Sequence, residues 1–229
     1  MKWIFLAILT VVVMPSAARE VQSHGIFFER WLGDNFFGGY VPHSYTQKWD
    51  IPAGANREHG GIPVNPKAIK YGTPIDMGDA LRQFKIDETF LLIVGFWEQP
   101  SPEVKTWVNA QAITVTPEVW RKLWGDITEP DLEKLVAVIK DKSLTLEQAR
   151  AKAKAMKGVA PFTNAVIQVN PKIDGSQRRL QCSIRFDDFF QHLVPEGKKD
   201  KVGAAKVFGR VIPPVAAPPR TITAPSSSH

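Results

Sequence analysis

Residues 90–97 read Phe-Leu-Leu-Ile-Val-Gly-Phe-Trp, eight positions without a charge or a hydrogen-bonding side chain other than the indole. A run of this length has no polar face to offer water, so it predicts a strand buried on both sides at the centre of a covered sheet. What covers it should be helical, and the sequence on the C-terminal side turns helical from Thr116 to Lys157. Thr128, with Pro130 and Asp131 after it, makes an N-cap ahead of the stripe Leu132, Leu135, Val136 and Ile139. Thr145 and Gln148 have capping-box spacing and open another helix that Gly158 ends. Two strands follow at 164–172 and 178–186, joined by a turn at Asp174-Gly175.

On the N-terminal side, residues 24–37 predict a short helix carrying Glu29, ended by Gly38-Gly39. Residues 44–51 predict a strand ending in Asp50, 53–61 a loop, and 62–71 a second extended segment that Pro63 and Pro66 confine to an edge or a bulge. Residues 74–84 carry Met77, Ala80, Leu81 and Phe84 at helical spacing. The whole order predicts an α/β (or α+β) domain, a mixed β-sheet flanked by helices, over residues 19–195. Residues 196–229, basic and then rich in Pro, Ala and Ser, predict a disordered C-terminal tail.

The first eighteen residues have the pattern of a secretory signal peptide: Met1-Lys2, an apolar run from Trp3 to Met14, and small residues before a cleavage point after Ala18. An apolar run of twelve is short against the roughly 20 residues of a membrane span. The mature chain is therefore expected outside the cytoplasm, periplasmic or extracellular, and free of the membrane. One cysteine, Cys182, excludes an intramolecular disulfide and a thiolate metal cluster. It alternates with Leu180, Ile184 and Phe186 on the apolar side of its strand, as a small buried hydrophobe does. The net charge is +6, unevenly spread: residues 19–139 hold 12 Lys/Arg against 16 Asp/Glu, and residues 140–210 hold 15 against 7. A solvated face and a polyanion footprint both fit such a basic half.

No glycine-rich phosphate loop, HExxH or Gly-x-Ser-x-Gly motif occurs, and the five histidines have no metal-ligand spacing. The remaining chemistry lies in acids and a lysine near the first two extended segments. Pairing these antiparallel through the 53–61 loop sets Asp50 opposite residue 64 or 65, and Lys67 about two positions further along. With strands roughly 4.8 Å apart, the carboxylate and the ammonium then approach one pocket. Carboxylates of this kind suit a hard cation such as Mg²⁺, and a neighbouring lysine suits phosphodiester hydrolysis. Asp50 before Pro52 also suits a turn cap, Lys67 and Lys70 also suit solvent-facing edge lysines, and Glu29 a surface helix position.

The series FFERW, KWDIP, IPVNPK and LLIVGFWEQ resembles the core of the PD-(D/E)XK nuclease superfamily, the restriction-endonuclease-like fold, over about residues 24–100. In that family a helix supplies an acid, a strand an Asp, the next strand an Asp/Glu-x-Lys triplet, and a later strand often ends in a polar residue such as Gln. The resemblance implies Glu29 as the helix acid, Asp50 as the strand acid, Lys67 as the lysine and Gln99 as the later polar residue. Glu29, Asp50 and Asn65 would hold Mg²⁺ or Mn²⁺. Asn65 departs from the pattern, since an amide ligates through oxygen but brings no charge. DNA would be the partner, its phosphates met by Lys172, Arg178, Arg179, Gln181 and Arg185. The alternative is an inactive module binding nucleic acid or envelope polyanions.

Overall fold

The apolar run becomes β3 (Phe90–Ser101), and the rest of the chain is arranged to keep water from both of its faces. The computed structural model describes residues 16–41 and 48–217 (for 16–24 the backbone only). β3 lies between β1 (Val64–Lys70), which runs parallel to it, and β4 (Val104–Val115), which returns antiparallel. A short β9 (Val215–Ala216) completes the order β1-β3-β4-β9. A second sheet has the order β2 (Ile75–Asp79), β6 (Arg178–Ile184), β5 (Ile167–Ile173). The architecture is α/β, a mixed sheet flanked by helices.

The main core holds Phe90, Leu92, Val94 and Phe96 from alternate positions of β3. Packed with them are the inner residues of the second sheet and helices α3 (Pro117–Leu123), α4 (Glu129–Lys140) and α5 (Leu146–Lys157). Burying a side chain of this size contributes about 1.5–3 kcal/mol. Leu91 and Ile93 take the opposite face, beneath helix α1 (Ser16–Phe36), whose Phe28, Leu32 and Phe36 recur at a spacing of four and are buried there. Gly95 permits that approach: a Cβ on it would stand 2.8 Å from both Phe28 Cζ and Trp107 Cζ3. Phe28 and Trp107 stack over it, ring centroids 4.8 Å apart.

The predicted N-cap at Thr128 forms, as a full capping box with Asp131, the predicted capping box at Thr145/Gln148 forms too, and Gly158 caps α5. The 167–184 hairpin also forms, its turn held by Asp174, which accepts from the backbone of Ser176 and Gln177.

Several expectations are corrected. Of the predicted strand 44–51, residues 44–47 lie outside the described residues, and the remainder pairs only through an isolated antiparallel bridge between Ile51 and Val64. Residues 75–79 form strand β2 rather than the start of a helix, because Ile75 and Met77 alternate inward and Gly78 adopts φ +87°. Only α2 (Ala80–Phe84) is helical there, capped by Asp79. β4 had no counterpart in the sequence reading.

The largest correction concerns the C-terminal segment. The expected disordered tail from residue 196 is ordered as far as 217. Its backbone donates to β4 from Val202 and Ala205, and Asn109 reaches back to the carbonyls of Lys198 and Asp200. The short strands β7 (Lys206–Val207) and β8 (Arg210–Val211) form a hairpin, and Ala205, Val207 and Ile212 are buried under α1. The segment lacks long apolar runs because it adds edges and a cap to a finished sheet. Residues 218–229, and residues 1–15 of the expected signal peptide, lie outside the described residues. α1 itself begins at Ser16.

The Gly95→Ala substitution should destabilise the fold by about 1–3 kcal/mol through overpacking between Phe28 and Trp107. A urea midpoint lowered at unchanged slope is the expected result.

Candidate functional site

Two short stretches of chain, each pinned by buried neighbours, carry the candidate residues. Before Asp50, Trp49 is buried, with its ring 5.0 Å from Phe90 and its Nε1 donating to Glu88 Oε1 at 2.8 Å. Lys48 adds ion pairs to Asp87 and Glu88 at 3.0 and 2.7 Å. After Asp50, Ile51 donates to the Val64 carbonyl at 3.2 Å and accepts from the Val64 N–H at 2.8 Å. An antiparallel bridge at 51/64 sets Asp50 level with Asn65. Two positions on, on the same face of β1, Lys67 places its Nζ 3.4 Å from Asp50 Oδ2. The lysine is 18% exposed and the aspartate 40%, so the pair sits at the rim of the core.

Glu29 joins this pair from α1, next to the buried Phe28. Its carboxyl is pushed up to about 7, mainly by burial and then by repulsion from the Asp50 carboxylate, with attraction to Lys67 partly offsetting both. Helix acid, strand acid and lysine therefore share one electrostatic neighbourhood. A carboxyl that titrates near neutrality beside a carboxylate–ammonium pair can take up or release a proton at ordinary pH.

The other predicted residues divide. Asn65 is buried, on the same face of β1 as Lys67. Gln99 is not part of the cluster. Lys67 is in register with Val94, and Gln99 is five residues further along β3, roughly 16 Å at strand rise. Its amide donates instead to the Pro102 carbonyl at 3.0 Å and stabilises the β3–β4 turn. The proposed phosphate-binding set is brought together in part: Lys172 stands opposite Arg179 on the β5–β6 hairpin, with Gln181 two residues on, while two arginines are engaged elsewhere. Arg178 donates to the carbonyls of Asp141 and Leu144, and Arg185 pairs with Asp188 at 2.5 Å. Ser183 of the same strand is buried and bonded to Asn170, so that face is only partly solvated. Lys172 and Arg179 are exposed, and Gln181 is half-buried. Cys182 is buried, and burial, with Asp76 and Asp79 adding, pushes its thiol well up. It is a structural hydrophobe.

Asp76 and Asp79, downstream of Lys67, are engaged in local turns: Asp76 accepts from the Gly78 N–H and Asp79 from the Arg82 N–H. The Trp49–Glu88 clamp that fixes Asp50 was invisible in the sequence. Its partners are 39 residues apart and carry no motif.

Among the described residues, no group of three or more His, Cys, Asp or Glu stands together as a metal site. The donor chemistry nevertheless fits Mg²⁺. Glu29 and Asp50 are close enough to repel, Asn65 adds an amide level with Asp50, and Mg²⁺ sites commonly use only one or two protein carboxylates. No family model, curated protein or solved structure matches this chain.

The raised carboxyl has a thermodynamic consequence. A folded-state value near 7 against 4.5 for the free side chain means that the folded protein holds this proton more tightly. The stability so gained is complete below about pH 4.5 and lost as the pH rises through 7. Glu29→Gln should therefore stabilise the protein by about 1–3 kcal/mol at pH 8 and leave it little changed at pH 4, measured by urea denaturation at both pH values.

Proposed function

We propose that this chain is an exported, metal-dependent nuclease that hydrolyses phosphodiester bonds in DNA, with its site at Glu29, Asp50 and Lys67. The observation that carries the reading is the approach of Lys67 Nζ to Asp50 at 3.4 Å with Glu29 raised to about 7 beside them. The order helix acid, strand acid, antiparallel bridge, lysine strand supports the resemblance to PD-(D/E)XK nucleases. Glu29, Asp50 and the Asn65 amide would hold Mg²⁺ or Mn²⁺. When bound, such an ion polarises the phosphoryl group and lowers the pKa of a water.

Lys67 has two tasks on this reading. Its ammonium neutralises Asp50 in the resting protein and faces the developing negative charge of the phosphate during reaction. Glu29 would meet the cation as its carboxylate, once its proton is released as the pH passes 7. Asn65 leaves the cluster one negative charge short of the family pattern, which weakens the hold on a cation. Export rests on the N-terminal pattern. Among the described residues, no helix is long and apolar enough to cross a membrane.

Asn65 also favours a second reading, in which the same fold binds nucleic acid or envelope polyanions without cutting. A plasmid-nicking assay separates the two. Cutting that needs Mg²⁺ or Mn²⁺, stops in EDTA and falls at least about 100-fold in both Asp50→Ala and Lys67→Ala supports the nuclease. An Asp50→Ala protein that nicks as fast as wild type removes the assignment. Folded wild-type protein that retains DNA in a salt-sensitive way without nicking it establishes the second reading.

A further inference from the structure

The β7–β8 hairpin turns through Phe208-Gly209, and both residues have positive φ, +48° and +84°. Such a two-residue turn is best served by Asn or Gly at its first position, and Phe is disfavoured there. The turn alone does not explain Phe208; what its ring does supplies the explanation. The ring lies flat on His59, centroids 3.7 Å apart and planes 7° from parallel, with the edge of Phe36 at 5.2 Å. His59 is itself wedged edge-on against Phe36 and Phe37 at 5.7 and 6.0 Å. With one face covered in this way, Phe208 remains 39% exposed.

Cations border it in sequence. Lys206 and Arg210 flank the turn, both exposed, and Arg57 is exposed two residues before His59. Arg210 is held in place by Asn35 Oδ1 at 2.9 Å and lies 5.8 Å from the Phe36 ring. A part-exposed aromatic seated on its neighbours, with a tethered arginine beside its turn, is an arrangement that stacks a nucleobase while the cation takes its phosphate. The location matters as well. Phe36 follows Glu29 by seven residues on α1, two turns along the same side of the helix and about 10 Å away.

We propose that Phe208, stacked on His59, is a platform for one unpaired nucleobase, and that single-stranded or frayed DNA is the preferred substrate of the site at Glu29, Asp50 and Lys67. The inference deepens the nuclease reading and takes its substrate class from it. Bases inside a duplex have both faces covered by their neighbours and cannot use the ring.

Fluorescence anisotropy of a labelled single-stranded oligonucleotide, and of the duplex of the same sequence, tests it on the full chain in EDTA, where no cutting intervenes. Phe208→Ala should weaken single-strand binding about 10-fold or more and change duplex binding by less than about twofold, while Phe208→Trp keeps single-strand affinity. Unchanged single-strand binding in Phe208→Ala overturns the proposal. So does an equal loss on both substrates, a Phe208→Trp protein as weak as Phe208→Ala, or wild-type protein that binds neither substrate. The two readings fail separately. Single-strand binding through Phe208 without any metal-dependent nicking removes the nuclease and leaves the platform. Nicking with Phe208→Ala affinity unchanged removes the platform and leaves the nuclease.

Discussion

Two backbone hydrogen bonds between Ile51 and Val64 join the segment after α1 to the edge of the sheet, and the candidate site depends on them. They fix the register that sets Asp50 level with Asn65 and within reach of Lys67. A slip of one residue would turn one of the two side chains to the opposite face and dissolve the pair. The bridge alone is a weak constraint. Trp49, buried against Phe90 and bonded to Glu88, anchors the same segment. The third constraint is α1, which lies close enough to bring Glu29 in because residue 95 has no side chain. Packing on both faces of β3 thus sets the distance between charges at its neighbour's edge.

Those charges are unequal in environment, and that gives the cluster its chemical character. Asp50 remains solvated and has a cation at hand. Glu29 has lost much of its water and faces Asp50, so its proton is held until the pH nears 7. A carboxyl that keeps its proton until near neutrality beside a solvated carboxylate can exchange that proton at ordinary pH. Lys67 pairs with Asp50 at 3.4 Å and, by attraction, offsets part of the rise at Glu29. The same cluster costs stability at neutral pH, a pattern found where a site serves chemistry rather than folding.

Much of this was legible in the sequence, for identifiable reasons. The run 90–97 could only be a covered strand, and the Thr128 and Thr145 caps specify helix starts through side-chain hydrogen bonds local to the sequence. The Asp50–Lys67 approach followed from loop length and strand spacing. β4 was not legible because its buried positions include Lys105, Trp107 and Asn109, which show no apolar alternation. The ordered segment after residue 196 was missed because it is held through backbone donors and the amide of Asn109. Gln99 was assigned by motif order, which says nothing about distance along a strand. Arg178 and Arg185 looked free because alternation along β6 cannot reveal that Asp141, Leu144 and Asp188 occupy them.

The central claim is that Glu29, Asp50 and Lys67 form one charge-coupled site able to take a divalent cation. Titration of the Glu29 carboxyl by ¹³C NMR, with and without Mg²⁺ and in wild type and Asp50→Asn, tests it most directly. The account predicts a midpoint near 7 in wild type, lowered in Asp50→Asn, and lowered further in wild type when Mg²⁺ is added. A midpoint near 4.5 that neither the substitution nor Mg²⁺ moves would contradict it.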